Sequence, residues 1–315
     1  MAGTAVVVNE FGAVGIDDAI FAQSVDAENV LLLANGCLCC TAGDDLAATI
    51  WSLARRADRP RRIVIETTGL ADPAPVLQRL MGDPRLAQST RLDTVVTTID
   101  AVNGSGNLDD HPIAARQCAV ADRRVITKSD LAVPDDVETL KERLQALNPG
   151  TDILQVDQGR IDADDLFGAS LYDSKAGRAD IDRWLNLDAH RADGRGHDHE
   201  THSVGTWFIE EGRRVDWEAL SQKLGGIIRR HGDLLLRVKG VIHTTGDPRP
   251  LVIHGVQRLF HPPVRLLEWT SEPGTKIVII GDKGASEIVG RIAEALADAA
   301  ALRAHADTPR EKLIA

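Results

Sequence analysis

No apolar run in this 315-residue sequence approaches the ~20 residues needed to cross a bilayer, so no helical membrane span is expected. The amino terminus lacks the basic start and small-residue cleavage site of a secretory leader. Met1 is followed instead by Ala-Gly-Thr and an apolar run ending at Asn9–Glu10. Cysteine is scarce: there are four, three of them at positions 37, 39 and 40, which is no disulfide framework of a secreted domain. Positive charge is in deficit, with 36 Lys and Arg against 47 Asp and Glu and a formal net charge of -11. A nucleic-acid partner needs clustered cations to displace counterions, so none is expected. The doublets Arg55–Arg56, Arg61–Arg62, Arg123–Arg124 and Arg213–Arg214 are scattered among acids and read as solvated helix and strand ends. A Gly-Lys dipeptide is also missing from the whole chain. Together these absences leave a cytoplasmic protein without membrane or nucleic-acid partners.

What is present is ordinary for a globular chain: 43% hydrophobic and 26% charged residues. At about 150 residues per domain the length predicts two domains. Short β-rich runs at Ala5–Val8, Val30–Leu33, Arg62–Ile65, Thr94–Ile99, Arg124–Thr127 and Asp152–Gln155 alternate with amphipathic helices. Most of these runs are continuously apolar, as strands buried on both faces are. Helix Asp44–Ala57 would bury Leu46, Ile50, Leu53 and Ala54, with Asp44 able to cap its start. Helix Pro134–Leu147 would bury Val137, Leu140, Leu144 and Leu147 before Asn148-Pro149-Gly150 stops it. The alternation predicts an α/β fold with a doubly wound, mostly parallel sheet over residues 1–187. A histidine-bearing linker follows at 188–203, then a small α+β domain at 204–303 and a polar tail at 304–315. The second domain reads β-α-β-β-(β)-β-α, with strands at Val204–Glu210, Leu234–His243, Leu251–Gln257, Val264–Trp269 and Lys276–Gly281.

Three stretches carry chemistry. Thr127-Lys128-Ser129-Asp130 closes a buried strand, where open α/β sheets bind ligands. An acid at position 130 can accept guanine N1–H and the exocyclic amine, while the Lys128 stem packs along the base. A solvated turn is the alternative. Ile63-Val-Ile-Glu66-Thr-Thr-Gly69 delivers an acid suited to a Mg²⁺ shell, then a glycine whose backbone can approach a γ-phosphate. The alternative is a strand end that caps the next helix. Asn35-Gly-Cys37-Leu-Cys39-Cys40 lies between a strand and a helix start, a setting that favours thiolates and hence Zn²⁺ or another soft ion. Small buried residues are the alternative there. Cys118, on an apolar helix face, reads as core. His190, His197, His199 and His202 suit either weak metal collection or a solvated linker, and His231, His243, His254 and His261 read as structural.

Taken together, Asn9-Glu-Phe-Gly-Ala-Val-Gly-Ile-Asp17, Asn35-Gly-Cys-Leu-Cys-Cys40, Glu66-Thr-Thr-Gly-Leu-Ala-Asp-Pro73 and Thr127-Lys-Ser-Asp130 resemble the CobW-type family of GTP-dependent metallochaperones in order and spacing. Arg237-Val-Lys-Gly240 and Ile253-His-Gly-Val256 look like that family's smaller carboxyl-terminal domain. The resemblance implies that Cys37, Cys39 and Cys40 hold the metal, with Glu10 an extra ligand. It implies that Glu66 and Gly69 serve the Mg²⁺ and γ-phosphate switch, that Asp17 lies in the first switch segment, and that Thr127, Lys128 and Asp130 read guanine. The implied activity is GTP hydrolysis coupled to transfer of a metal ion, zinc first among the candidates, to a client metalloprotein; a homo-oligomer is also compatible with the sequence. Two features depart from the family pattern. Ala13 stands where the family often has a second acid. The initial strand and its Gly-x-x-Gly-x-Gly-Lys-Thr phosphate loop are absent from this sequence. That loop supplies most of the grip on the β- and γ-phosphates. The chain as given is therefore expected to bind GTP more weakly than micromolar, and to leave two apolar parallel strands with unpaired edges. The other readings are a metal-binding, client-docking protein without nucleotide hydrolysis, and a truncated fragment.

Overall fold

The computed structural model describes residues 3–8, 30–32, 42–168, 172–173, 178–192 and 204–301. These fall into two compact units, Met1–Leu92 and Asp93–Ala315.

In the first unit, β1 (Thr4–Val8) runs parallel between β2 (Val30–Leu32) and β3 (Arg62–Glu66), and Val8 stands level with both Leu32 and Glu66. Ala5 and Val7 share one face of β1, as the period of two requires, and both are buried. They close a core with Leu46, Ile50 and Leu53 of α1 (Ala42–Ala54), Val76 of α2 (Pro73–Gly82) and Leu86 of α3 (Pro84–Ser89). The buried face of α1 is the expected one. The helix starts two residues before Asp44, which therefore stands in the first turn and not at the cap. Asp72 caps α2 by accepting the Ala74 N–H at 3.0 Å, and Pro73 occupies the first turn, where a missing N–H costs nothing.

The second unit begins with another parallel trio, β4 (Val96–Asp100), β5 (Arg123–Thr127) and β6 (Asp152–Gln155), with β5 in the middle. Helices α4 (Gly104–Asp110), α5 (Pro112–Val120) and α6 (Pro134–Leu147) join them. Val137, Leu140, Leu144 and Leu147 of α6 are the buried face, as the periodicity predicts. Arg124 corrects the reading of the arginine doublets as solvated: it is fully buried. Its guanidinium donates to the carbonyls of Leu144, Asn148 (2.6 Å) and Thr151 (2.8 Å) at the end of α6, where Leu144 and Asn148 also accept the longer N–H contacts of Asn148 (3.4 Å) and Thr151 (3.3 Å). Cys118 is buried core, and burial pushes its thiol up to about 11.

β3 pairs only with β1, and β4 only with β5, among the described residues. Ile63–Ile65 are half-buried and Val96 is exposed, although the apolar runs predict strands covered on both faces. Each is an edge strand of its own sheet, so it lacks a neighbour on one side.

After α7 (Ala163–Leu166) come a short antiparallel pair, β7 (Tyr172–Asp173) and β8 (Arg178–Ala179), and helices α8 (Ile181–Leu185) and α9 (Leu187–Ala192). Helix α9 takes up the start of the expected linker; His197, His199 and His202 lie outside the described residues. The carboxyl-terminal part is an antiparallel sheet built from β9 (Val204–Glu211), β10 (Leu235–Ile242), β11 (Leu251–Val256), β12 (Leu259–Phe260), β13 (Val264–Arg265) and β14 (Thr275–Asp282). Its order is β12-β11-β10-β14-β9, with β13 also on β11. Helices α10 (Trp217–His231) and α11 (Ala285–Ala301) cover one face. On the other face Val204, Leu236 and Ile280 share a core with Val120 and Leu147, and Val241 and Val278 meet Ile181 and Leu185. Among the described residues no helix is long and apolar enough to cross a membrane.

Candidate functional site

The carboxyl ends of β4 and β5 are tied together. Ala101 N–H donates to the Thr127 carbonyl at 2.9 Å, and the Thr127 hydroxyl donates to the Ile99 carbonyl at 3.2 Å. Lys128 then adopts a left-handed backbone with φ of +57°, uncommon outside glycine. That bend brings its Nζ to Asp100 Oδ2 at 2.7 Å. Asp100 also accepts the backbone N–H groups of Asn103 (3.2 Å) and Val102 (2.8 Å). The Lys128 hydrogen bond, seconded by these amides, brings the Asp100 carboxyl down to about 2 despite partial burial. With its head anchored, Lys128 still exposes more than half of its side chain, so its methylenes remain open to a planar base.

Ser129–Leu131 forms a single 3-10 turn that presents Asp130 to solvent. The Ser129 hydroxyl oxygen is buried without a hydrogen-bond partner among the described residues, an unmet polar group inside the loop. Thr127, Lys128 and Asp130 are thus gathered at one strand end, where the sequence placed them. Asp100 was missed as a partner of Lys128, although its signal was an acid ending the Thr94–Ile99 run. The turn after β6 was also missed. Val156 N–H donates to the Ile126 carbonyl at 2.9 Å, which holds the left-handed residues Gln158 and Gly159 at the same edge of the sheet.

In the first unit Glu66 ends β3 with its side chain exposed. Ala71 N–H donates to the Thr68 carbonyl at 3.0 Å, closing a turn that carries Gly69 and the exposed Leu70. A Cβ at Gly69 would meet no protein atom within 4 Å, so packing does not demand glycine there and the turn is open to a ligand. The exposed carboxylate is a hard oxygen donor of the kind a hydrated Mg²⁺ accepts. Asn9–Asp17 and Asn35–Cys40, which follow β1 and β2, lie outside the described residues, and with them Glu10, Asp17, Cys37, Cys39 and Cys40. Among the described residues no group of three or more His, Cys, Asp or Glu is placed to hold a metal ion.

Residues 2–155 match the model of the CobW/HypB/UreG nucleotide-binding domain, and residues 204–300 match that of the cobalamin synthesis protein CobW carboxyl-terminal domain. The zinc chaperone YjiA of Escherichia coli is 30% identical over 281 residues, which cover 88% of this chain and 84% of that protein. The zinc chaperone CobW of a Sinorhizobium species is 29% identical over 310 residues, covering 87% and 83%. The crystal structure of zinc-bound YjiA GTPase superimposes with a TM-score of 0.65 at 26% identity, over 94% of this chain and 90% of that one. The fold is therefore the one those proteins share, parallel sheets with helices followed by an antiparallel carboxyl-terminal sheet. The chain belongs to the CobW family, a CobW/HypB/UreG-type nucleotide-binding domain followed by a CobW carboxyl-terminal domain.

Proposed function

We propose that this protein is a GTP-dependent metal chaperone of the CobW type, with Zn²⁺ as its cargo and a metalloprotein as the client that receives it. The observation that carries the reading is the Lys128–Asp100 clamp at the ends of β4 and β5, beside the exposed Asp130. It holds the lysine stem as a shelf for a purine and leaves Asp130 to accept the two N–H groups that guanine offers and adenine does not. The relatives named as zinc chaperones support the cargo and its delivery.

In this reading Cys37, Cys39 and Cys40 bind the cargo ion as thiolates, with Glu10 as an additional oxygen ligand. Glu66 orients the water shell of a Mg²⁺ ion, which when bound neutralises phosphate charge. Gly69 lets the backbone approach the γ-phosphate, and Asp17 belongs to the segment that senses it. The proposed domain division is 1–187 for the nucleotide-binding part, 188–203 for the linker, 204–303 for the carboxyl-terminal domain and 304–315 for the tail.

The test is zinc content and Co²⁺ spectroscopy of the purified chain beside a variant carrying serine at positions 37, 39 and 40. The expected outcome is one tightly held ion with sulfur-to-cobalt charge-transfer bands, both lost in the variant. Unchanged zinc content would remove the thiolate site from the proposal.

A further inference from the structure

Asp122, the residue before β5, is in contact with two buried cations. Its Oδ1 accepts from Lys239 Nζ at 2.6 Å, and its Oδ2 from Arg237 Nη2 at 3.0 Å and from Val95 N–H at 2.9 Å. Side-chain exposure is 3% for Asp122, 11% for Arg237 and 15% for Lys239. Arg123 pairs with Asp152 close by, and those two charges cancel. Arg237 and Lys239 against Asp122 leave an excess of one positive charge. Charges withdrawn from water are ordinarily neutralised. Here the balance is incomplete.

A cavity of about 140 Å³ adjoins the cluster, lined by Lys239, Arg237, Asp122, Arg123, Arg183 and Trp184 among others. Nucleotides and other drug-sized ligands need roughly 300 Å³ or more, so they are excluded. An oxyanion of five heavy atoms fits, with a water or two at about 30 Å³ each. Lys239 has donors to offer. Of its three N–H groups one serves Asp122, and Nζ lies 5.5 Å from the Trp184 ring centroid, which steadies a cation but presents no lone pair.

We propose that this cavity binds a small dianionic oxyanion of the phosphate or sulfate class, held by Lys239 and the guanidinium groups around it, where β5 meets the carboxyl-terminal sheet. The site lies at the opposite end of β5 from Thr127, so it stands or falls independently of guanine recognition. Burial brings the Lys239 ammonium down to about 8, helped by Arg237 and Arg123 and opposed by Asp122. An anion beside it favours the charged form, so binding takes up a proton and weakens above pH 8. Neither His254 nor His261 competes in that window. Burial takes His254, opposite Lys239 across β10 and β11, down to about 3, and lowers its stacked neighbour His261 as well. Asp122 is an anion throughout: burial opposes ionisation, but Arg237 and Lys239 prevail and hold it at about 2.

The experiment acylates the full chain with a limiting amine reagent at pH 8.5 and follows the Lys239 peptide by mass spectrometry. Phosphate or sulfate is titrated against chloride at constant ionic strength. The expected result is protection of Lys239 on the order of tenfold at millimolar phosphate or sulfate, and little with acetate. Equal labelling in phosphate and chloride, or equal protection by acetate, overturns the proposal. A second measurement is the phosphate-induced rise in Tm, which Lys239→Met is expected to abolish. A rise that persists in that variant places the ion elsewhere and overturns the proposal too.

Discussion

A carboxylate at position 130 accepts two N–H groups side by side, which is the pattern of the guanine edge. Replacing it with an amide turns one acceptor into a donor, which suits xanthine, whose edge pairs an N–H with a carbonyl. Asp130→Asn is therefore expected to weaken GTP on the order of 100-fold and to improve XTP relative to GTP, in competition against a fluorescent guanine nucleotide. An unchanged ratio would take Asp130 out of base recognition. Thr127–Asp130 could be read from the sequence because residue types and strand end coincide within four positions. Asp100 could not be assigned as the partner of Lys128 in the same way. It lies 28 positions away and is brought close only by the parallel register that sets Asp100 against Thr127. Arg124 was misread for a related reason. A charged doublet looks solvated until the end of α6, folded back over β5, supplies its acceptors.

Helix α6, like β6, has the bounds the sequence predicts to the residue, because Pro134 starts it and Asn148-Pro149-Gly150 stops it. How its end is satisfied was not visible. The Arg124 guanidinium collects the carbonyls of Leu144, Asn148 and Thr151, although burial pulls that guanidinium down to about 10. Arg124→Met keeps much of the volume and strips the donors, leaving the Leu144 and Asn148 carbonyls with backbone N–H contacts of 3.4 and 3.3 Å alone and the Thr151 carbonyl without its arginine. The expected loss is roughly 3 kcal/mol, seen as a lower urea midpoint with an unchanged slope. A midpoint within experimental error of the parent's would mean that water replaces the arginine at those carbonyls. Strand β13 illustrates the opposite outcome. The apolar run Val264–Trp269 predicts six residues of strand, but β11 offers only Leu251 and Val252 as partners, so pairing ends at Arg265 and Leu267 is exposed. Periodicity reports which residues could pair and says nothing about how much partner strand is available.

For the whole molecule, a carboxyl-terminal α+β part was legible from the change in pattern after residue 187. The carboxyl-terminal sheet's seat on α5 and α6 was not, because Val204, Leu236 and Ile280 look like any strand residues until they meet Val120 and Leu147. Asp122 is the ionic part of that junction, facing Arg237 and Lys239 of β10. Its carboxyl is at about 2 in the folded chain against 3.8 for the free side chain. A depressed folded value means stability that is complete above pH 3.8 and is lost as pH falls through 2. The linked contribution is on the order of 2 kcal/mol. Asp122→Asn keeps the shape but leaves two buried cations without their carboxylate, at a cost of roughly 3–5 kcal/mol at pH 7. The variant has no carboxyl to protonate at this position, so its stability should fall less steeply than the parent's between pH 4.5 and pH 2. Urea midpoints at pH 7, 4.5, 3 and 2 measure both effects. A parent and variant that lose stability in parallel across the acid window would show that other carboxylates carry the acid sensitivity, and that Asp122 acts at the junction by hydrogen bonding alone.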